Sequence, residues 1–244
     1  MKSGDAKTAE ALSRAIDKHG GIESYQAASK QGQAKDRGGD SSKLLVEWLQ
    51  QSNVIDLKTR DRKVSGEPPL RCLEVGALST KNEISKYSAF IDMTRIDLNS
   101  QGQGIEKQDF MERPLPTTDD EYFDIISLSL VLNYVPEAVG RGEMLKQITK
   151  FLRKNPAQSD DSTPILPAFF FVLPLSCIKN SRYFNEKILL QIMQNLGFTM
   201  RHTKLTLKLC YYLFTWTSEP TSLRTQKKKI KDKPTMNNFS IVVE

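Results

Sequence analysis

The sequence predicts a doubly wound α/β sheet, mostly parallel and closed by an antiparallel hairpin. Three observations carry this. From Leu70 onward, apolar runs of strand length alternate with stretches of helical periodicity, the order expected of β-α-β units. The run Ala168-Phe169-Phe170-Phe171-Val172-Leu173 is apolar without interruption, as a parallel strand covered on both faces would be. Finally, Leu73-Glu74-Val75-Gly76-Ala77 reads as a buried strand that ends in an acid and a glycine turn, where the chain can approach a ligand closely.

The 244 residues, 39% hydrophobic and 26% charged, suffice for one globular domain with an extension or two. Residues 1–64 read as an N-terminal helical extension and loop. A helical pattern over Ala9 to His19 stops at Gly20-Gly21, and the polar stretch Gln31 to Ser42 suits a loop able to fold over a ligand. Ser41 or Ser42 is placed to cap a helix over Lys43 to Ser52, whose Leu44, Leu45, Trp48 and Leu49 share a face expected to pack on the main domain. Residues 65–218 form the main domain. Strands are expected over 70–75, 89–97, 105–108, 123–130, 168–173, 200–208 and 210–217, and helices over 82–87, 137–153 and 181–196. Residues 219–244, with Lys227-Lys228-Lys229 and Lys231 and Lys233, carry little apolar content and read as a basic disordered tail.

Charge is uneven. Residues 1–64 carry 12 basic and 9 acidic side chains, residues 65–218 carry 17 of each, and residues 219–244 carry 6 and 3. Basic flanks on a neutral centre favour a polyanionic partner such as RNA, through counterion release. Cys72, Cys177 and Cys210 are isolated in apolar surroundings, which suits core thiols and indicates neither a disulfide framework nor a metal site. The apolar stretch from Ile165 to Ile178 is too short for a membrane span and is interrupted by Pro167 and Pro174, and no apolar signal segment follows Met1, so a soluble intracellular protein is expected.

In open α/β sheets ligands sit at the carboxyl ends of the strands, with an acid about 20 residues beyond the glycine turn accepting from a ribose diol. Asp97 stands 21 residues after Gly76 at the end of the second strand; Asp92, the competing acid, falls inside that strand. A carboxylate suits the task because it accepts both hydroxyl hydrogens at once. Asp109 follows the third strand, where it can accept from an adenine amino group, with Phe110 beside it as a flat apolar contact. The fourth strand and its turn, Ser127 to Pro136, border the reacting centre; Asn133 and Tyr134 are placed to orient or stack on a substrate base. The turn after Gly76 lacks a second and third glycine and no G-x-x-x-x-G-K-[ST] occurs, so a pyrophosphate or triphosphate has no cradle and a dehydrogenase is disfavoured. A ligand with ribose and adenine but no phosphate fits, and S-adenosylmethionine is such a ligand.

These motifs resemble class I S-adenosylmethionine-dependent methyltransferases, which are Rossmann-like. With Gly21-Ile22-Glu23-Ser24-Tyr25-Gln26, the Arg37-Gly38-Gly39 loop, Gln108-Asp109-Phe110-Met111, Leu173-Pro174-Leu175-Ser176-Cys177 and Ser181-Arg182-Tyr183-Phe184, the chain more narrowly resembles the fungal 25S ribosomal RNA adenine-N1 methyltransferase family. The resemblance implies a seven-stranded sheet and a nuclear, nucleolar enzyme that methylates N1 of an adenine in 25S ribosomal RNA, free or in a pre-ribosomal particle, during ribosome biogenesis. It implies Gly76 and Asp97 as cofactor contacts and Asp109 with Phe110 as the holders of its adenine; Glu74 and Ser127 are expected beside them as cofactor-binding residues, Asn133 and Tyr134 are the catalytic candidates, and no metal is expected. Leu78 and Thr80 stand where many methyltransferases have glycine. The alternative is a non-catalytic S-adenosylmethionine sensor that binds a protein partner with the same cofactor residues.

Overall fold

The computed structural model describes residues 39–55, 68–100, 102–154, 165–221 and 224–244. The expected helix over 9–19 and the loop over 31–38 lie outside the described residues. From Ser41 to the end the chain forms one compact unit. Seven strands make a single sheet: β1 (Leu70–Val75), β2 (Ile91–Asp97), β3 (Glu106–Lys107), β4 (Ile125–Ser129), β5 (Ala168–Pro174), β6 (Phe198–Leu205) and β7 (Leu209–Trp216), in the order β3-β2-β1-β4-β5-β7-β6. β1 to β5 pair in parallel, while β7 runs antiparallel to both β5 and β6, so the doubly wound sheet with its closing hairpin is as expected. The central strands are buried on both faces; every residue of β7 and all of β5 before Pro174 are buried.

Each face of the sheet has its own core. On one, α1 (Ser42–Gln51) lays Leu44, Leu45, Trp48 and Leu49 against Ile84, Phe90, Phe170 and Leu213, with the Trp48 ring edge-on to Phe170 at 5.9 Å. Ser41 sits at the start of this helix but makes no capping bond. Its hydroxyl instead shares a 2.9 Å hydrogen bond with Ser129 Oγ on β4, and Ser42 Oγ accepts from the Ile84 backbone at 3.2 Å, so Ser41 ties the helix to the sheet and Ser42 ties it to the turn between β1 and β2. The opposite face is covered by α2 (Ala138–Phe151) and α4 (Glu186–Asn195), with the short α3 (Leu175–Lys179) following β5. The helix expected over 181–196 starts later, because Asn185 accepts from the Ile188 backbone at 2.9 Å and caps it there. The one expected over 82–87 is a single 3-10 turn, Glu83–Tyr87.

The disordered tail is not what the structure shows. Residues 224–244 form a strap across the second face, burying Met236, Phe239, Ile241, Val242 and Val243. Arg182 is its anchor: Nε donates to Asp232 at 2.8 Å, one terminal nitrogen to Met236 O and to Asn238 Oδ1, and the other to Lys233 O at 2.9 Å. Ser181 Oγ donates to Phe239 O, and the strap crosses α2 where Val242 N donates to Ala138 O at 2.9 Å. That crossing needs a bare helix surface, since a Cβ on Gly142 would lie 1.8 Å from Val242 O. Gly142→Ala is therefore expected to lower stability by about 1–3 kcal/mol through overpacking, against the usual helix preference for alanine. Thermal unfolding checks this; a raised melting temperature would mean the crossing is not tight. No helix among the described residues is long and apolar enough to cross a membrane.

Candidate functional site

Three strand ends form a row. Gly76 follows β1 in the left-handed region, φ 76°, where glycine carries no steric penalty, and its N–H donates to Ile96 O on β2 at 2.9 Å. The next β2 residue, Asp97, ends that strand, and its carbonyl accepts from Gln108 N beyond β3 at 3.0 Å. These two bonds fix Gly76, Asp97 and Asp109 side by side along the carboxyl edge. Asp97 Oδ1 accepts from Asn99 N at 2.9 Å, an Asx turn that orients the carboxylate; no further partner of that group is found among the described residues. Asp92 lies near the other end of β2.

Four of the residues assigned to the cofactor from sequence have other engagements. Glu74 accepts from Asn82 Nδ2 at 3.0 and 3.1 Å, and Arg95 Nε lies 3.4 Å from its Oε2, so the carboxylate holds the 79–87 turn against β2. Asp109 Oδ1 accepts from Met111 N at 2.8 Å and starts a short 3-10 turn. Phe110 is 2% exposed within the core and tilts against Phe151 at 5.4 Å, so it is not the flat contact for an adenine expected beside Asp109. Its hydrophobicity draws it inward, while Leu98, next to Asp97, and Met111 stay exposed and are the apolar side chains available at that edge. Ser127 is buried in the middle of β4, between Glu74 on β1 and Phe170 on β5, rather than at the strand's open end. Sequence spacing locates strand ends well but does not tell which side of a turn residue faces the core.

The β4 turn stands beside the β1 turn. Leu130 takes a left-handed conformation, φ 58°, which is costly for a bulky side chain and swings the chain into Val131-Leu132-Asn133-Tyr134. A Cβ on Gly76 would come within 2.3 Å of Val131 Cγ2, so the two turns touch. Asn133 and Tyr134 diverge from there. Tyr134 is exposed, whereas Asn133 lines a cleft of about 580 Å³ beyond the ends of β4 and β5. Pro174, Ser176, Cys177, Glu137 and Arg141 line it together with Lys227, Asn237, Asn238, Phe239 and Ser240 of the strap. None of its lining residues comes from β1, β2 or β3, so it is separate from the Gly76-Asp97-Asp109 row. The Cys177 thiol is pushed up to about 12 by burial and by neighbouring Cys210, so it is neutral at physiological pH and offers no thiolate nucleophile. Sequence reasoning missed this cleft because five of its thirteen lining residues come from the tail; Phe239 and the run Ile241-Val242-Val243 were the available signal.

The strand order, the bare glycine turn and the acid at the end of β2 define the fold of class I S-adenosylmethionine-dependent methyltransferases. At the level of fold the same holds for a solved structure, the plantazolicin methyltransferase BpumL in complex with a pentazolic desmethylPZN analog and SAH, at TM-score 0.50 and 10% identity over 84% of this chain and 95% of that one. The chain belongs to the family described as 25S rRNA (adenine(2142)-N(1))-methyltransferase, Bmt2, which matches residues 10–241. It is 38% identical over 230 residues to the 25S rRNA (adenine(2142)-N(1))-methyltransferase of Saccharomyces cerevisiae, covering 93% of this chain and 61% of that protein. It is 39% identical over 222 residues to the 25S rRNA adenine-N(1) methyltransferase of Schizosaccharomyces pombe, covering 91% of this chain and 76% of that one.

Proposed function

We propose that this protein transfers a methyl group from S-adenosylmethionine to N1 of an unpaired adenine in 25S ribosomal RNA. The observation that carries the reading is the family match over residues 10–241, which takes in both the strand-end row and the cleft. When bound, the cofactor supplies a methyl on a positively charged sulfur and departs as the neutral thioether. The chain does the rest. Asp97 is placed to accept from a ribose diol, the bare Gly76 turn lets backbone come close, and exposed Leu98 offers an apolar surface to an adenine ring. The residues present thus fit a nucleoside without phosphates.

Adenine N1 already carries a free lone pair in the ring plane, so no general base has to remove a proton before attack. What the site must supply is alignment, and N1 lies on the Watson–Crick edge, so the base has to be unpaired or turned out of its stack. The cleft next to Asn133 is the place for it, at the carboxyl ends of β4 and β5. The lysines of the strap, exposed at 227, 228, 229, 231 and 233, would meet phosphates. Action within pre-ribosomal particles in the nucleolus, during ribosome biogenesis, follows from such a substrate.

The test is a methyl-transfer assay with the full chain, labelled S-adenosylmethionine and 25S ribosomal RNA from cells lacking the enzyme. A methyl on N1 blocks base pairing, so reverse transcription should stop at one adenine. Absence of transfer, or methylation at another ring position, would overturn the assignment, and the former would favour a cofactor sensor.

A further inference from the structure

The cleft beside Asn133 is lined by two residues that each carry a buried polar atom unsatisfied among the described residues. Asn133 Oδ1 and Ser240 Oγ are both inaccessible and neither has a hydrogen-bond partner among the described residues, and both residues line the cleft. Ser240 is 1% exposed. A buried polar atom without a partner is costly, and a folded protein retains few of them. Two in one cleft, one after β4 and the other on the strap more than a hundred residues later, are the mark of a site whose partners arrive with a ligand. The backbone around Ser240 is held firmly: its carbonyl accepts from Arg141 at 2.7 Å, the Arg141 guanidinium lies 4.5 Å over the Phe239 ring, and Phe239 packs edge-on to Phe184. The hydroxyl is therefore left unpaired on a positioned segment, and a volume of about 580 Å³ is within the usual range of small-molecule pockets.

The chemistry of the two atoms limits the ligand. An amide oxygen only accepts, while a hydroxyl gives one hydrogen and accepts as well. Adenine has an amino group next to N1 to satisfy the first, and ring nitrogens other than N1 to satisfy the second; guanine has a carbonyl oxygen where adenine has the amino group and would meet Asn133 Oδ1 with like polarity. N1 has to stay free of hydrogen bonds, because its lone pair is needed for attack. Lys227, on the same rim and 4.6 Å over the Tyr183 ring, is placed for the adjoining phosphate.

We propose that the C-terminal strap is the outer wall of the target-base site, and that Ser240 Oγ and Asn133 Oδ1, covered in this structure, turn into the cleft to make the hydrogen bonds that hold an unpaired adenine there with N1 free. This deepens the assignment to adenine methylation and rests on it. Ser240 is a substrate-contacting residue, not one that holds the fold, and that separates this reading from a structural one. A hydroxyl paired inside the protein costs stability when it is removed, whereas one waiting for a ligand does not.

The experiment compares the full-length wild type with Ser240→Ala, Asn133→Ala and the double variant. It measures melting temperature, S-adenosylmethionine affinity, kcat and KM on 25S ribosomal RNA, and binding of a short unpaired oligonucleotide carrying one adenosine or one guanosine, with S-adenosylhomocysteine present. Ser240→Ala is expected to leave melting temperature and cofactor affinity as they are, or raise the former, and to raise KM for RNA about tenfold. It should weaken the adenosine oligonucleotide but not the guanosine one, and its effect should be non-additive with Asn133→Ala. Should the variant bind and methylate like the wild type, the strap is not part of the base site, while the assigned reaction stands. A wild type that binds the adenosine oligonucleotide through Ser240 but transfers nothing to ribosomal RNA would keep the site and lose the reaction. A wild type that does neither would remove both. Loss of stability in Ser240→Ala would make the residue structural and overturn the inference.

Discussion

Asp97→Ala is expected to weaken S-adenosylmethionine binding by about a hundredfold, the effect of removing two charge-assisted hydrogen bonds to a diol. Two readouts are needed, because Asp97 also shapes its own turn through the bond from Asn99 N. Calorimetric titration gives the affinity and thermal unfolding gives the fold. Asp97→Asn separates the two roles, since an amide oxygen can still accept from Asn99 N but cannot take both hydroxyl hydrogens. The expected order is therefore a near-native melting temperature for Asp97→Asn with cofactor affinity almost as weak as for Asp97→Ala. Unchanged affinity in either variant would remove Asp97 as the ribose ligand.

The second large effect concerns the strap. Deleting 224–244 would uncover Met236, Phe239, Ile241, Val242 and Val243 together with the core they cover, and would strip Arg182 of its acceptors. At roughly 1.5–3 kcal/mol for each fully buried apolar side chain, the loss rivals the stability of a whole domain of about 5–15 kcal/mol. The truncated chain should aggregate or unfold at low denaturant, so weakened RNA binding by it would say nothing about charge. The charge test keeps the strap in place. Lys228→Gln with Lys233→Gln should leave the denaturation midpoint unaltered and reduce the slope of log affinity against log salt by roughly 0.7–0.9 for each phosphate that is no longer neutralised. An identical slope would show that these lysines do not touch RNA.

What the sequence disclosed and what it hid have the same origin. A parallel strand buried on both faces is apolar throughout, so β5 stands out as a run, while β1, which carries Arg71 and Glu74, is marked by the glycine turn after it, and the distance from Gly76 to Asp97 is set by the length of one β-turn-β passage across the sheet. The strap has no such periodicity. Its buried apolar residues follow a lysine-rich stretch and Pro234, and they are buried only because Ser181, Arg182 and Gly142, distant in sequence, form a seat for them. Phe110 departs from expectation for a related reason: a turn places a side chain either outward or inward, and the core under α2 decides it. Ser41 likewise looks like a helix cap because the tertiary partner it bonds, Ser129, cannot be seen from its neighbours.

The contact between Gly76 and Val131 has a thermodynamic corollary. One turn belongs to the cofactor row and the other leads within a few residues to Asn133, and the space between them is already too small for a single added methyl. Ligands that press on either turn are then not independent. If cofactor occupancy raises affinity for RNA by some factor, RNA must raise affinity for the cofactor by that same factor, since linkage is reciprocal. On the proposed function, donor and base would bind as a cooperative pair, and Gly76→Ala, by wedging the two turns apart, would disturb both isotherms from one position.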